Sequence, residues 1–164
     1  METVAVYCEH PVRTYGLKAQ EGCLLLFLEC PTSQLGKLAD QLAALAPPLP
    51  LVSCGVLWRG EVASMQVCLP REEASRLELA AAQAGARIGL RREASVINLQ
   101  GPHFGDRWGL AKEVLAGLEE AETAPLVLMG VTHTLQIALD SSASQAALNG
   151  LGRHFVGPEA SKRG

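Results

Sequence analysis

Apolar residues recur along this chain at two periods, and the places where the period changes mark its elements. At Leu35, Leu38, Leu42 and Leu45 they fall at i, i+3, i+7 and i+10, which lays one apolar stripe along one face of a helix. Between 62 and 69 the period drops to two. There Ala63, Met65, Val67 and Leu69 alternate with Val62, Ser64, Gln66 and Cys68, as on a sheet with one better-buried face. With the apolar segment 51–58 before it and Arg59-Gly60 as the turn, this pair of segments predicts a hairpin. A second helix is predicted over 71–84, stopped by Gly85, and a further strand near 86–91.

Sliding the chain by 73 residues lays a second copy over the first. Leu35, Leu38, Leu42 and Leu45 fall on Trp108, Ala111, Leu115 and Leu118; Gly36 falls on Gly109, Ser33 on Asp106, and Leu24 and Leu26 on Ile97 and Leu99. Ser33 and Asp106 are suited to cap the first helix of each copy, because their side-chain oxygens accept from the unpaired N–H groups of the first turn. Pro47-Pro48 and Pro125 close the two helical regions. Copy two continues with a hairpin over 126–131 and 134–139, then a helix over 142–152 with Asp140-Ser141-Ser142 before it as cap candidates.

Each copy therefore reads strand, helix, strand, strand, helix. Copy one adds a last strand. Copy two runs instead from Phe155-Val156 into a polar tail, while extended segments at 3–8 and 12–19 stand spare at the other end. A bare sheet edge invites unwanted pairing, so the spare segment is expected to complete the second sheet. The β-α-β-β-α-β order is ferredoxin-like. The predicted class is α+β: two such domains, interlocked, with N-terminal strands at 1–19, a first domain at 20–91, a second at 92–157 and a disordered tail at 158–164. No Gly/Ser-rich linker separates the copies at 89–94.

Composition narrows the function without naming it. A length of 164 residues suits two small domains, and 14 Lys and Arg against 17 Asp and Glu give a net charge of -3, with the basic residues scattered. A nucleic acid is thus not an expected partner, and the central strands offer almost no aromatic side chains for stacking bases. No apolar run approaches the roughly 20 residues of a membrane span. The start, Met1-Glu2-Thr3, lacks a secretory leader pattern, so a cytoplasmic location is expected.

The five cysteines, at 8, 23, 30, 54 and 68, include no Cys-x-x-Cys and read as buried reduced thiols. The histidines at 10, 103, 133 and 154 are too dispersed for a metal set, and neither a metal nor a cofactor is expected. His103 could act as a general base but reads as an exposed loop residue. No Gly-x-Ser-x-Gly elbow occurs, and no catalytic residue is assigned.

Particular residues point further. The run Ala94-Ser-Val-Ile-Asn-Leu-Gln-Gly-Pro-His-Phe-Gly-Asp-Arg-Trp-Gly-Leu resembles the opening of an ACT domain: an apolar strand, a glycine turn, then glycine at the start of a helix. Val131-Thr-His-Thr-Leu-Gln-Ile-Ala-Leu139 resembles the second hairpin of aspartokinase ACT domains. Val12-Arg-Thr-Tyr-Gly-Leu-Lys-Ala resembles the strand leading into the first of those domains, and Met65-Gln-Val-Cys-Leu-Pro its third strand. The resemblance spans roughly 12–156. It implies that the strand ahead of the first ACT domain joins the sheet of the second, and that an amino-acid effector sits between the strand-to-helix loop of one ACT domain and the second strand of its neighbour.

Carried over by position, the implied ligand-binding residues are Thr32, Ser33 and Gly36 in loop one, and Phe104, Asp106, Arg107 and Gly109 in loop two. Met129 and Thr132 on the second hairpin are weaker candidates. Asp106 could cap its own helix or meet an effector's ammonium group, and Arg107 could be a solvated loop residue or a carboxylate clamp. Nothing resembles the kinase portion, which needs a phosphate-cradling loop, a lysine for the phosphates and metal-binding carboxylates. Departures leave the effector open. Thr132-His133-Thr134 stands where lysine- or threonine-sensing aspartokinases carry Thr-Ser-Glu, the polar Gln that ends their second strand is replaced within Val56-Leu57-Trp58, and Trp108 stands where proline is usual.

The function so implied is a stand-alone regulatory module that binds a small amino acid at an ACT-ACT interface, with no catalysis of its own and a homodimer formed through its ACT sheets. The alternative is a structural or docking subunit with vestigial pockets, associated with a separate catalytic chain such as an aspartokinase.

Overall fold

A computed structural model describes residues 11–157 except 106 and 132. The expected strand at 3–8, the tail at 158–164, Cys8, His10, Asp106 and Thr132 lie outside the described residues. The chain is mixed α+β, and it divides into two units: 21–95, and 1–20 together with 96–164.

In the unit 21–95, strands β2 (Gly16–Pro31, from 21 onward), β3 (Ser53–Arg59), β4 (Val62–Pro70) and β5 (Arg87–Gln100, up to 95) lie in the order β3-β4-β2-β5. β2 and β4 are antiparallel from Cys23↔Pro70 to Pro31↔Val62, and β3 and β4 from Ser53↔Cys68 to Arg59↔Val62. The hairpin turn is therefore Gly60-Glu61, one residue beyond the pair expected. Alternation decides the core: Leu24, Leu26 and Leu28 of β2 and Met65, Val67 and Leu69 of β4 pack with Leu38 of α1 (Leu35–Ala43) and Leu77 and Ala81 of α2 (Ala74–Gln83). Those side chains share one face because strand residues two apart point the same way.

The other unit uses the first residues of β2 and the last of β5 with β6 (Val127–Val131) and β7 (Thr134–Asp140), in the order β2-β5-β7-β6. Helices α3 (Leu110–Glu120) and α4 (Ser144–His154) pack together. Ile97, Leu99, Leu110, Val114, Leu118, Ile137, Leu139 and Leu151 form its core, and Leu17 and Ala19 of β2 pack against it. Phe155-Val156, where the sequence pattern shows no final strand for copy two, form a short strand β8 that pairs in parallel with β1 (Val12–Arg13). The Thr14 N–H donates to the Val156 carbonyl at 2.9 Å and the Tyr15 N–H to the Gln100 carbonyl at 2.7 Å.

One sequence expectation fails in α3. The repeat puts Trp108 and Leu115 on its apolar stripe, yet they are 79% and 47% exposed, and the inward residues are Leu110, Val114, Gly117 and Leu118. The cause is the connection ahead of the helix. Copy one enters α1 through a short 3-10 turn, Thr32–Gln34, whereas copy two needs the loop 101–109, so the shift that aligns the first strands no longer aligns the first helices. A shift of 76 brings Leu38 and Leu42 onto Val114 and Leu118. A shift of 70 then aligns the second helices, with Ala74, Leu77, Ala80 and Ala81 over Ser144, Ala147, Gly150 and Leu151, all buried in both copies.

The expected cap at Ser33 is also replaced. Ser33 lies within the 3-10 turn, and neither that turn nor α1 has a side-chain cap hydrogen bond. At α3 the N-cap position is Gly109, not 106. No described helix is long and apolar enough to cross a membrane.

Candidate functional site

Loop two is built from its glycines outward. Gly109 holds φ at +83°, a left-handed conformation that L side chains adopt at a cost, and this lets the chain reverse into the first turn of α3. Its carbonyl accepts from the Glu113 N–H at 3.1 Å, which starts the helical ladder. Nothing lies within 4 Å of the place its Cβ would occupy, so the backbone there is open to a ligand.

Gly101, at the other end of the loop, is needed for close approach. A Cβ there would stand 2.2 Å from Cε1 of Phe104 and 2.7 Å from the Arg13 carbonyl oxygen. Phe104 is consequently packed into the core of its unit, 6% exposed, beside Val12 and Leu110. It plugs the base of the loop. Arg107 is half-buried beside the α3 N-terminus, while Trp108 projects outward.

Loop one is tighter. The Thr32 N–H and hydroxyl both donate to the Glu61 carbonyl, at 2.8 and 3.2 Å, which ties the turn to the β3–β4 hairpin and engages the hydroxyl that a ligand would want. Ser33 is exposed, and Gly36 lies inside α1 with open space around it, so no conformational need for glycine shows there. Met129 is on β6 opposite Gln136, partly buried. The structure thus groups Phe104, Arg107 and Gly109 on one loop and places Met129 on the edge strand of the same unit.

Asn98 and Gln100 join a polar network that sequence reasoning misses. On the sheet face away from the helices, Gln136 Nε2 donates to Asn98 Oδ1 at 3.0 Å and Gln100 Nε2 to Thr134 Oγ1 at 3.1 Å. A recess of about 390 Å³ opens beside them, lined by Tyr15, Lys18, Gln20, Asn98 and Gln100. Period-two polar positions on both strands are the signal that could have found it. In the unit 21–95, an apolar pocket of about 320 Å³ lies among Leu38, Leu42, Leu49, Leu51, Cys54 and Met65. The loop residues named above line neither.

The described thiols are chemically quiet. Burial pushes the Cys68 thiol up to about 12 and raises Cys23 beside it, so neither is a ready nucleophile. Cys23, Cys30 and Cys68 are buried free thiols as expected, whereas Cys54 is exposed, against the expectation of burial. Among the described residues no group of three or more His, Cys, Asp or Glu is placed to hold a metal ion.

No protein-family model matches the chain, and no curated protein does. Solved structures do. The ligand-free regulatory subunit of aspartate kinase from Thermus thermophilus superposes with a TM-score of 0.73 at 11% identity, covering 86% of this chain and 97% of that one. The chain has the fold of aspartate kinase regulatory subunits. The same fold recurs within whole enzymes. Aspartokinase III of E. coli in complex with aspartate and ADP (R-state) matches at a TM-score of 0.63 and 15% identity, over 90% of this chain and 34% of the enzyme. Its complex with lysine and aspartate (T-state) matches at 0.53 and 18%, over 89% and 34%. The regulatory-subunit fold therefore accounts for nearly all of a free subunit and for a third of a complete kinase chain.

Proposed function

We propose that the chain is a stand-alone regulatory module, without catalysis of its own, that responds to a small amino acid. The observation that carries this reading is the fold shared with a regulatory subunit of aspartate kinase over 86% of this chain and 97% of that one. We read 20–91 and 92–157 as two ferredoxin-like ACT domains, with 1–19 giving the second its last strand. The order β2-β5-β7-β6, and the packing of Leu17 and Ala19 against that unit's core, support the assignment.

The effector seat is loop two, 101–109, with the start of α3, facing a second copy of the chain in a homodimer. Unpaired N–H groups and the positive end of the helix dipole suit a carboxylate, and the open backbone at Gly109 lets it come close. Asp106 and Arg107 are the side chains proposed to meet the ammonium and carboxylate groups, with Met129 and Thr132 lending weaker contacts. Thr32, Ser33 and Gly36 form the poorer seat, since the Thr32 hydroxyl is already engaged. Because E. coli aspartokinase III is found with lysine and aspartate in one state and with aspartate and ADP in another, lysine and the other aspartate-derived amino acids are the first ligands to test. A ligand regulates only by binding one arrangement better than another.

A thermal-shift screen against the twenty amino acids checks this. A selective rise in Tm for one of them supports the sensor, and a flat response at millimolar ligand refutes it. The second reading, a docking subunit for a separate catalytic chain, is favoured by exposed apolar side chains: Val56, Leu57 and Trp58 on edge strand β3, and Trp108 and Leu115 on and before α3. Under that reading the amino-acid screen is flat, and the chain is retained by an immobilised aspartokinase catalytic subunit.

A further inference from the structure

His154 is the last residue of α4, and both of its ring nitrogens face carboxylates on α3: Nδ1 lies 3.1 Å from Glu113 Oε2 and Nε2 lies 3.0 Å from Glu120 Oε1. A neutral imidazole carries one N–H and can satisfy only one of these. The other nitrogen would then present a lone pair to a carboxylate oxygen, so only the imidazolium donates to both. The ring is 17% exposed and packs over Gly117, where a Cβ would stand 3.3 Å from its Cδ2. Glu113, Gly117 and Glu120 share one face of α3 at i, i+4 and i+7, which makes the groove the ring occupies.

The fold does not require this arrangement. At the shift of 70 that aligns the second helices, His154 falls on Ala84, which is fully buried with no polar group. We infer that His154 is a proton-operated latch that fastens the end of α4 to α3 and, through the strand that follows directly, holds β8 on β1. The Val12↔Phe155 pairing and the Thr14-to-Val156 hydrogen bond begin at the next residue.

The groups facing the ring are Glu113 and Glu120 from α3 and, on α4 itself, Arg153, whose guanidinium reaches Glu120 at 3.3 Å. β8 contributes only Phe155 and Val156. The hydrogen bond to Glu113, then that to Glu120, raises the His154 pKa against the opposing effect of burial. A raised folded-state pKa means the latch is fully engaged below the unfolded histidine value of about 6.5 and is lost as pH rises through the folded value. On the acid side Glu120, held below the ordinary carboxylate range first by His154 and then by Arg153, stays ionised until the pH falls below that lowered value.

The test is a titration of the full chain followed by NMR on the histidine ring protons, with amide exchange at Thr14 measured at pH 6 and pH 8 and corrected for intrinsic rates. The expected result is a His154 midpoint above about 6.5, a lower midpoint in Glu113→Gln, and a Thr14 protection factor that drops several-fold at pH 8 in the unaltered chain. His154→Gln should show a low protection factor that is the same at both pH values. A His154 midpoint at or below the ordinary value, unmoved by Glu113→Gln, overturns the latch. A pH-independent Thr14 protection factor in the unaltered chain overturns its coupling to β1. Both measurements stand on the unaltered chain and Glu113→Gln, so they decide the question even if His154→Gln does not fold.

Discussion

Gly150 and Gly152 lie two residues apart on α4, and their neighbourhoods differ completely. A Cβ at Gly150 would stand 2.1 Å from the Gly117 carbonyl oxygen and 2.9 Å from Cβ of Ala121, whereas at Gly152 nothing lies within 4 Å. The neighbour at Gly150 is helix backbone and cannot turn aside, so Gly150→Ala has to push α4 off α3 by about 1 Å to restore ordinary van der Waals separation. Alanine gains up to about 1 kcal/mol of helix propensity at either site. At Gly150 that gain is outweighed by overpacking of about 1–3 kcal/mol, and the separation also loosens the packing of Val114 and Leu118 against Ala147 and Leu151.

Gly150→Ala should therefore lower stability by up to about 2 kcal/mol net, and Gly152→Ala should raise it by up to about 1 kcal/mol. At about 2–4 °C per kcal/mol for a chain of this size, thermal melts followed by circular dichroism separate the two signs easily. Copy one shows what relaxed packing tolerates, since Ala80 occupies the place of Gly150 there. A Gly150→Ala protein more stable than the parent, as Gly152→Ala is expected to be, would refute the claim that the two helix backbones touch.

Two further substitutions separate fold from function in loop two. Phe104→Ala removes a core ring and should cost about 3–5 kcal/mol in a denaturant melt; a change under about 1 kcal/mol would show that the ring is not the plug described. Gly109→Val forces a β-branched residue to a φ of +83° and should cost about 1–2 kcal/mol. It should also abolish any amino-acid response in calorimetry, and a retained response would remove loop two from the proposed site.

Much of this architecture is legible in the residue pattern. The strands are readable because Met65, Val67 and Leu69 alternate with polar neighbours, and period two fixes which face is buried without knowledge of the partner strand. The second helices are readable for a similar reason. The first helices are harder, because a repeat aligned on strands keeps its phase only while the connections keep their length. A shift of 73 turns Trp108 inward, yet it is the most exposed large apolar side chain described. Position in a family motif makes Phe104 a ligand contact, but its burial depends on a close approach to Gly101 and Arg13 that no linear pattern reveals. The His154 cluster is invisible in the sequence because its three residues lie on two helices and only their packing brings them together.

The two copies diverge where function is expected and agree where packing demands it. Their second helices bury the same four positions at one shift, so the shared core permits little change there. Their first loops share almost nothing: copy one closes with a three-residue 3-10 turn pinned to Glu61, and copy two spends residues 101–109 on a loop that ends in a left-handed glycine. A turn whose Thr32 N–H and hydroxyl both donate to the Glu61 carbonyl has little left to offer a ligand, whereas an open helix N-terminus retains unpaired donors. If both loops were effector seats inherited from one ancestral copy, the same pressure should have kept their geometry alike. Their divergence makes loop two, rather than the turn Thr32–Gln34, the first place to look for the proposed amino-acid contact.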